Sequence, residues 1–199
     1  MADNPIRIAI TGQQPFDNES QRLTKLLDSG WTYIHLRYPE LTLREVRNII
    51  ERIPQHYHSQ LKLHGHFELI NEFNIGGLHL NRRCPVPPAN YSGVLSRSCH
   101  SVDEVAESAA TGKYAYVTLS PVFLSLSKQG YTPSIDMDGF KLAAEMMPVI
   151  ALGGIAPHKI PDMAFIPLAG YAVLGYLSNI HDLNELESIS KDFIKYEQH

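Results

Sequence analysis

Cysteine is scarce: the 199 residues hold two, Cys84 and Cys99, in neither a CxxC motif nor a zinc-ligand spacing. They read as free thiols of a reducing compartment, where disulfides are rare. Long hydrophobic runs are missing too, so nothing approaches the length needed to span a bilayer. The opening residues, Met1-Ala2-Asp3-Asn4-Pro5, lead straight into a strand-like run. They lack the basic, apolar and small-residue order of a secretory signal, so the cytoplasm is the expected location and no membrane partner is expected. Basic residues are few and dispersed, with 17 Lys and Arg against 21 Asp and Glu and a net charge of -4. Nucleic acid is therefore not an expected partner, because duplex binding takes clustered cations. Histidine is the one abundant special residue, ten in all. The histidines are scattered, with no HExxH and no His-x-His beside a carboxylate, so no metal site is expected.

Hydrophobic residues make up 44% and charged residues 19%, a soluble globular composition. The length suits one domain, residues 1–199, with a sizeable core. Short apolar runs alternate with helical spacing throughout. Strand-like runs fall at Ile6–Thr11, Trp31–Leu36, Leu61–Leu63, Gly77–Leu80, Val94–Ser98, Tyr114–Leu119, Pro148–Leu152 and Tyr171–Leu174. Between them lie helical segments at Ser20–Ser29, from Thr42 to about Arg52, Glu68–Phe73, after Ser101, Asp138–Met147, after Pro157 and Leu183–Tyr196. Thr42 with Glu45, and Ser101 with Glu104, have capping-box spacing. Residues 81–92, rich in Arg, Pro and Asn, read as irregular. Eight such units predict an α/β fold, a single (β/α)8 TIM barrel. An open doubly wound sheet is the rival. Its dinucleotide-binding form would want GxGxxG after the first strand, and Thr11-Gly12-Gln13-Gln14-Pro15 does not supply it.

In such barrels chemistry sits at the C-terminal ends of the strands. Val149-Ile150-Ala151-Leu152-Gly153-Gly154-Ile155 takes a buried strand into two glycines, and Gly175 closes the following strand. Glycine lets backbone N–H groups approach an anion, and a helix N-terminus adds a favourable dipole. The turns after strands seven and eight thus read as a phosphate cradle, or as two tight turns without a ligand. After strand six, Ser125, Ser127 and Lys128 put two hydroxyls and an ammonium within four residues, a phosphate-holding lid or a solvated loop. Alternation sends His35 and Arg37 to one face, the interior of a barrel, where Arg37 needs an anion or a carboxylate. His64 and His66 end strand three and suit acid–base work at neutral pH, although His66 equally begins a helix. Ser98 ends strand five and faces a ligand in this reading, with His100 in the turn beyond.

Taken in order, Ile34-His35-Leu36-Arg37, Gly77-Leu78-His79-Leu80, Ser98-Cys99-His100-Ser101 with Glu104, Tyr116-Val117 leading to Pro121-Val122-Phe123, and Pro148 to Ile155 resemble the thiamine phosphate synthase/TenI family, nearly end to end. The family's synthases join a hydroxymethylpyrimidine pyrophosphate to a thiazole phosphate. They hold pyrophosphate with a Gln-x-Arg-x-Lys run and Mg²⁺ with acidic residues after strands three and four. Here Arg37 is kept, but His35 stands at the Gln and Pro39 at the Lys. His64-Gly65-His66 replaces the Asn-Asp-Asp run and Cys84 the later acidic position. The resemblance is closer to the TenI branch, which isomerises a thiazole phosphate tautomer without metal. It implies a phosphorylated small-molecule substrate held by Arg37, Ser98, Ser125, Ser127, Lys128, Gly153, Gly154 and Gly175. No cofactor is implied, Mg²⁺ entering only in the synthase alternative. The branch's histidine after strand six falls at Pro121, so His35 and His66 are the candidate acid–base residues. The alternatives are a synthase and a non-catalytic regulatory protein that binds a phosphorylated ligand. A homo-oligomer is compatible with the sequence.

Overall fold

Eight parallel strands close into a barrel in chain order in the computed structural model, which describes residues 1–2, 4–123 and 135–197. They are β1 (Ile6–Ile10), β2 (Tyr33–Leu36), β3 (Leu61–Leu63), β4 (Gly77–Leu80), β5 (Leu95–Cys99), β6 (Tyr116–Leu119), β7 (Val149–Leu152) and β8 (Gly170–Val173). Closure comes from β1 bonding to β8, with Ala9 opposite Val173. The expected (β/α)8 barrel is therefore the fold, in place of the open sheet.

Among the described residues, five α-helices lie outside the strands: α1 (Glu19–Asp28), α2 (Leu43–Glu51), α3 (Val102–Thr111), α4 (Met137–Met146) and α5 (Leu183–Tyr196). Two caps form as their sequences predict. Thr42 Oγ1 accepts from Glu45 N at 3.3 Å while the Glu45 carboxylate takes the Thr42 N–H at 2.8 Å, a reciprocal box. Ser101 Oγ caps α3 through Glu104 N at 3.1 Å. Elsewhere the helices fall short of expectation. The segment after β3 makes only a 3-10 turn, Phe67–Asn71, and the one after β7 makes two, Pro157–Lys159 and Pro161–Met163. Pro161 has no N–H for a helical bond back to Pro157, so a continuous α-helix cannot form there. Residues 81–94, with Pro85, Pro87 and Pro88, carry no helix at all.

Alternation along each strand separates two cores. Outward-facing Ile34, Leu36, Leu63, Leu78, Val117, Val149 and Val173 pack on helix residues such as Leu23, Ile50, Val105, Phe140 and Phe193. Inward-facing Ile8, Ile10, Ile150 and Ala172 form a smaller cluster with Tyr116. The barrel interior is thus lopsided. The side made by β1, β7 and β8 is apolar, whereas the opposite side buries His35, Lys62, His79, Ser96 and Thr118. A buried polar set of this size needs partners for every atom. Among the described residues, no buried side-chain nitrogen or oxygen lacks one. At the far end, α5 is tied to the barrel by Arg7 and Tyr171, which bond Glu197 at 2.7 and 2.6 Å, and by Trp31 Nε1 donating to Ser190 Oγ at 2.9 Å. None of the described helices is long and apolar enough to cross a membrane.

Candidate functional site

At the C-terminal mouth of the barrel lies a cavity of about 980 Å³. Its walls come from the ends of all eight strands, β1 giving Ile10 and the β7 and β8 ends Leu152 and Leu174. Three guanidiniums line it, Arg37, Arg82 and Arg83, and four imidazoles, His64, His66, His79 and His100. Among the described residues no carboxylate lines it. Like charges crowded without a counter-ion favour an anionic occupant. Burial and the nearby Arg83 both lower the Arg37 pKa from its usual value. The Arg37 backbone is fixed by Thr11, whose hydroxyl accepts the Arg37 N–H at 2.8 Å. Next in the chain, the buried Tyr38 donates to Glu19 Oε1 at 2.5 Å.

Three histidines form the floor. His35 Nδ1 stands 2.8 Å from His64 Nε2, and His35 Nε2 stands 2.8 Å from the Tyr116 hydroxyl. His79 bonds Ser96 Oγ through Nδ1 and Ser98 Oγ through Nε2, both at 2.9 Å. Its ring stacks on His64, with centroids 4.2 Å apart and planes 21° apart. Burial disfavours imidazolium at all three. Desolvation, helped by the neighbouring imidazoles and cations, holds His35 and His64 well below the usual histidine range, and desolvation lowers His79 to about 3. All three are neutral near pH 7. Below them Lys62 donates to the Gly76 carbonyl at 2.6 Å, and burial brings its pKa to about 8.

The sequence-predicted residues separate into groups. Arg37, His66 and Ser98 line the cavity. His66 sits on its rim in a left-handed conformation, φ 51°, with Nε2 bonded to the Leu41 carbonyl at 2.8 Å. His35 lies beneath the cavity, fully buried, and meets the cavity-lining His64 at 2.8 Å. Gly153 and Gly154 have φ of 107° and 65°, as a glycine turn requires. A side chain at Gly153 would come within 2.9 Å of Pro121 Cβ. The chain after β6 runs along this turn, Val122 N donating to the Leu152 carbonyl at 2.9 Å and Phe123 N to Gly153 at 3.1 Å. Gly175 opens onto free space, and a methyl added there would meet nothing within 4 Å. These three glycines follow Leu152 and Leu174 and stand beside the cavity walls rather than in them. The turns beyond them lead into 3-10 segments, so no long helix lends its dipole there. Ser125, Ser127 and Lys128 lie outside the described residues. His79, Ser96 and Tyr116 join the site without being expected there from sequence, although inward alternation on β4, β5 and β6 marks them, and Arg82 and Arg83, at the end of strand four, line the cavity as well.

A closed barrel whose mouth carries three guanidiniums and, among the described residues, no carboxylate defines the class: a TIM-barrel protein with a cationic mouth. Known proteins narrow it. Residues 8–177 match the family model described as thiamine monophosphate synthase, and the chain belongs to that family. The thiamine-phosphate synthase of Phocaeicola vulgatus is 23% identical over 172 residues, covering 78% of this chain and 82% of the relative. That of Caldicellulosiruptor bescii is 28% identical over 149 residues, covering 69% and 67%. The crystal structure of thiamine phosphate pyrophosphorylase from Bacteroides thetaiotaomicron superposes with a TM-score of 0.83 at 31% identity, covering 97% of this chain and 98% of that one.

The synthase branch implies Mg²⁺, which takes hard oxygen ligands. Among the described residues the cavity lining offers imidazoles, guanidiniums and no carboxylate, a donor set that does not fit that ion. The nitrogen atoms of His35, His64 and His79 do lie within 4.8 Å of one another. Yet the His64 and His79 rings are stacked, with planes 21° apart, and His35, His64 and His79 already use ring nitrogens in hydrogen bonds to one another, Tyr116, Ser96 and Ser98. The cluster as arranged serves hydrogen bonding better than metal ligation.

Proposed function

We propose that this chain binds a thiazole phosphate and moves a proton on its ring without a metal, the reaction of the TenI branch. One observation carries this reading: neutral imidazoles floor the cavity, guanidiniums wall it, and no carboxylate among the described residues lines it. Arg37, Arg82 and Arg83 would attract and orient the anionic ligand. The amides of Gly153, Gly154 and Gly175, with Ser125, Ser127 and Lys128, would complete the phosphate subsite. His64 is the group best placed to take the proton. It lines the cavity, it is neutral, and its Nδ1 has no partner among the described residues. A bound phosphate raises the basicity of His64, because a nearby negative charge favours the imidazolium. His66 acts at the rim by shaping the turn, and His35 acts through His64. Free Cys84 and Cys99 suit a reducing cytoplasm.

A second reading, thiamine phosphate synthesis, is favoured by the names of the relatives. Two assays separate the readings. The thiazole phosphate tautomer is incubated alone in chelator, and hydroxymethylpyrimidine pyrophosphate is incubated with thiazole phosphate and Mg²⁺. The proposed function predicts conversion in the first and no thiamine phosphate in the second. Metal-dependent thiamine phosphate formation would replace it with the synthase reading. Thermal stabilisation by ligand without turnover would leave a binding protein.

A further inference from the structure

Of the three guanidiniums that line the cavity, Arg37 is half-buried, while Arg82 and Arg83 are exposed. Among the described residues none of the three pairs with a carboxylate. The hydrogen bonds that Arg37 makes among those residues all go through its backbone. A long, unpaired side chain is aimed by its backbone alone. What holds that backbone is one hydroxyl at the end of the neighbouring strand. β1 and β2 pair in register up to Ile10 opposite His35, and the Thr11 N–H continues the ladder to the His35 carbonyl at 3.1 Å. The next rung of a parallel ladder would join the Arg37 N–H to the Thr11 carbonyl. Here the Thr11 hydroxyl takes that N–H at 2.8 Å and donates its own proton to the Arg37 carbonyl at 3.2 Å. Both backbone polar groups of Arg37 thus rest on one oxygen of a residue that is 6% exposed. The next residue is tethered too, since the Tyr38 hydroxyl donates to Glu19 at 2.5 Å, and Glu19 also takes the Phe16 N–H at 3.2 Å.

We infer that Thr11 is a positioning residue for anion binding: its hydroxyl clasps the N–H and carbonyl of Arg37 and so aims that guanidinium into the cavity. The inference rests on the anion-binding reading of Arg37 above. Thr11 is not one of the residues lining the cavity, so it acts through Arg37. The stiff χ1 of a β-branched side chain suits it to this role, because the oxygen stays where the strand end puts it. Without the hydroxyl, the Arg37 N–H and carbonyl lose their partner, and the peptide turns to find another. A small rotation there becomes a large displacement at the far end of the side chain. A guanidinium is sensitive to such a change, since its fork of donors binds an oxyanion in a fixed geometry.

The test measures binding of thiazole phosphate by calorimetry to the wild type, Thr11→Val, Thr11→Ser, Arg37→Met and the double variant Thr11→Val/Arg37→Met. Valine keeps the shape and removes the hydroxyl, whereas serine keeps the hydroxyl. Ser190→Ala, which removes a buried hydroxyl bonded to Trp31 at the far end of the barrel, controls for lost stability alone. Arg37→Met should weaken binding roughly 10–100-fold, as for a lost charge-assisted bond. Thr11→Val should weaken it at least about fivefold when Arg37 is present and less than about twofold when it is not, the coupling expected of residues that act as a unit. Thr11→Ser and Ser190→Ala should stay within about twofold of the wild type. Equal weakening by Thr11→Val in both backgrounds, or none in either, overturns the positioning role and leaves the proposed function standing. An equal loss in Ser190→Ala, or no rescue by Thr11→Ser, does the same. Unchanged binding in Arg37→Met overturns the anion-binding reading of Arg37 and the inference with it. Should Thr11→Val fail to fold, amide hydrogen exchange in the wild type decides. An Arg37 amide as protected as the ladder amide of Thr11 supports the clasp, and one that exchanges as fast as a solvent-exposed amide overturns it.

Discussion

Acidification should destabilise this protein steeply, and His79 sets a lower bound on the effect. Burial holds its pKa at about 3 in the folded chain, against about 6.5 once unfolded. Above 6.5 both states carry the neutral ring, so its full contribution to stability is present. As pH falls below 6.5 the unfolded chain takes up a proton that the folded chain refuses, and stability is lost until the folded pKa is reached. At pH 5 the loss is about 2 kcal/mol from His79 alone, taking 1.36 kcal/mol per pH unit over ~1.5 units. For a chain of this size that is ~4–8 °C in Tm. His35 and His64 face the same ring and are shifted the same way, so the total loss is larger. The Glu187 carboxylate, pulled to about 2 by Lys191 and Lys25, titrates below this window. Urea unfolding of wild type and His79→Gln at pH 7.5 and 5 measures the effect. The wild type should lose at least about 2 kcal/mol between these pH values, and the variant should lose about that much less. Equal pH dependence in the two proteins, or a wild type more stable at pH 5, would refute the assignment of a neutral buried imidazole.

His64→Gln should lower turnover roughly 10²–10⁴-fold as a lost proton-transfer group, while His66→Gln, whose ring is tied to the Leu41 carbonyl, should change kcat less than about tenfold; steady-state kinetics on both decides. Arg37→Met should weaken binding of the phosphorylated ligand by about 1.5–3 kcal/mol, the worth of a charge-assisted bond, read by calorimetry. Gly153→Ala meets both a φ of 107° and Pro121 at 2.9 Å and should cost about 1–3 kcal/mol of stability. Gly175→Ala, with open space around it, should stay within about 0.5 kcal/mol. Thermal melts distinguish the two. Phe193→Ala should cost about 3–5 kcal/mol, because the fully buried ring packs edge-on to Trp31 at 5.4 Å.

Much of the barrel is legible in the sequence because strand and helix periods differ and both are local. The runs around Ile8, Ile34, Val117 and Ile150 read as strands without any knowledge of their neighbours. The caps at Thr42 and Ser101 need only the residue three positions on. The segment after β7 differs in kind from the expected helix, since Pro161 interrupts what Pro157 begins. The site is less legible. Alternation along β2 gives an inward His35 and Arg37, but it cannot say which inward residues of other strands share their layer. That depends on the stagger of the closed barrel, which sets His35 opposite Lys62 and Ser98 opposite Thr118. Only then do His35, His64, His79, Ser96 and Tyr116 meet. Lys62 could not be foreseen as buried, because its partner is the carbonyl of Gly76, an irregular residue just before β4. Ser125, Ser127 and Lys128 fall in 124–134, outside the described residues.

Proton transfer without metal at the histidine floor is the central claim. The direct measurement is conversion of the thiazole phosphate tautomer by protein stripped of metal and held in excess chelator, followed by proton NMR. Conversion at an undiminished rate, abolished in His64→Gln, is the predicted result. Loss of activity on chelation that Mg²⁺ restores, or full activity in His64→Gln, would contradict it.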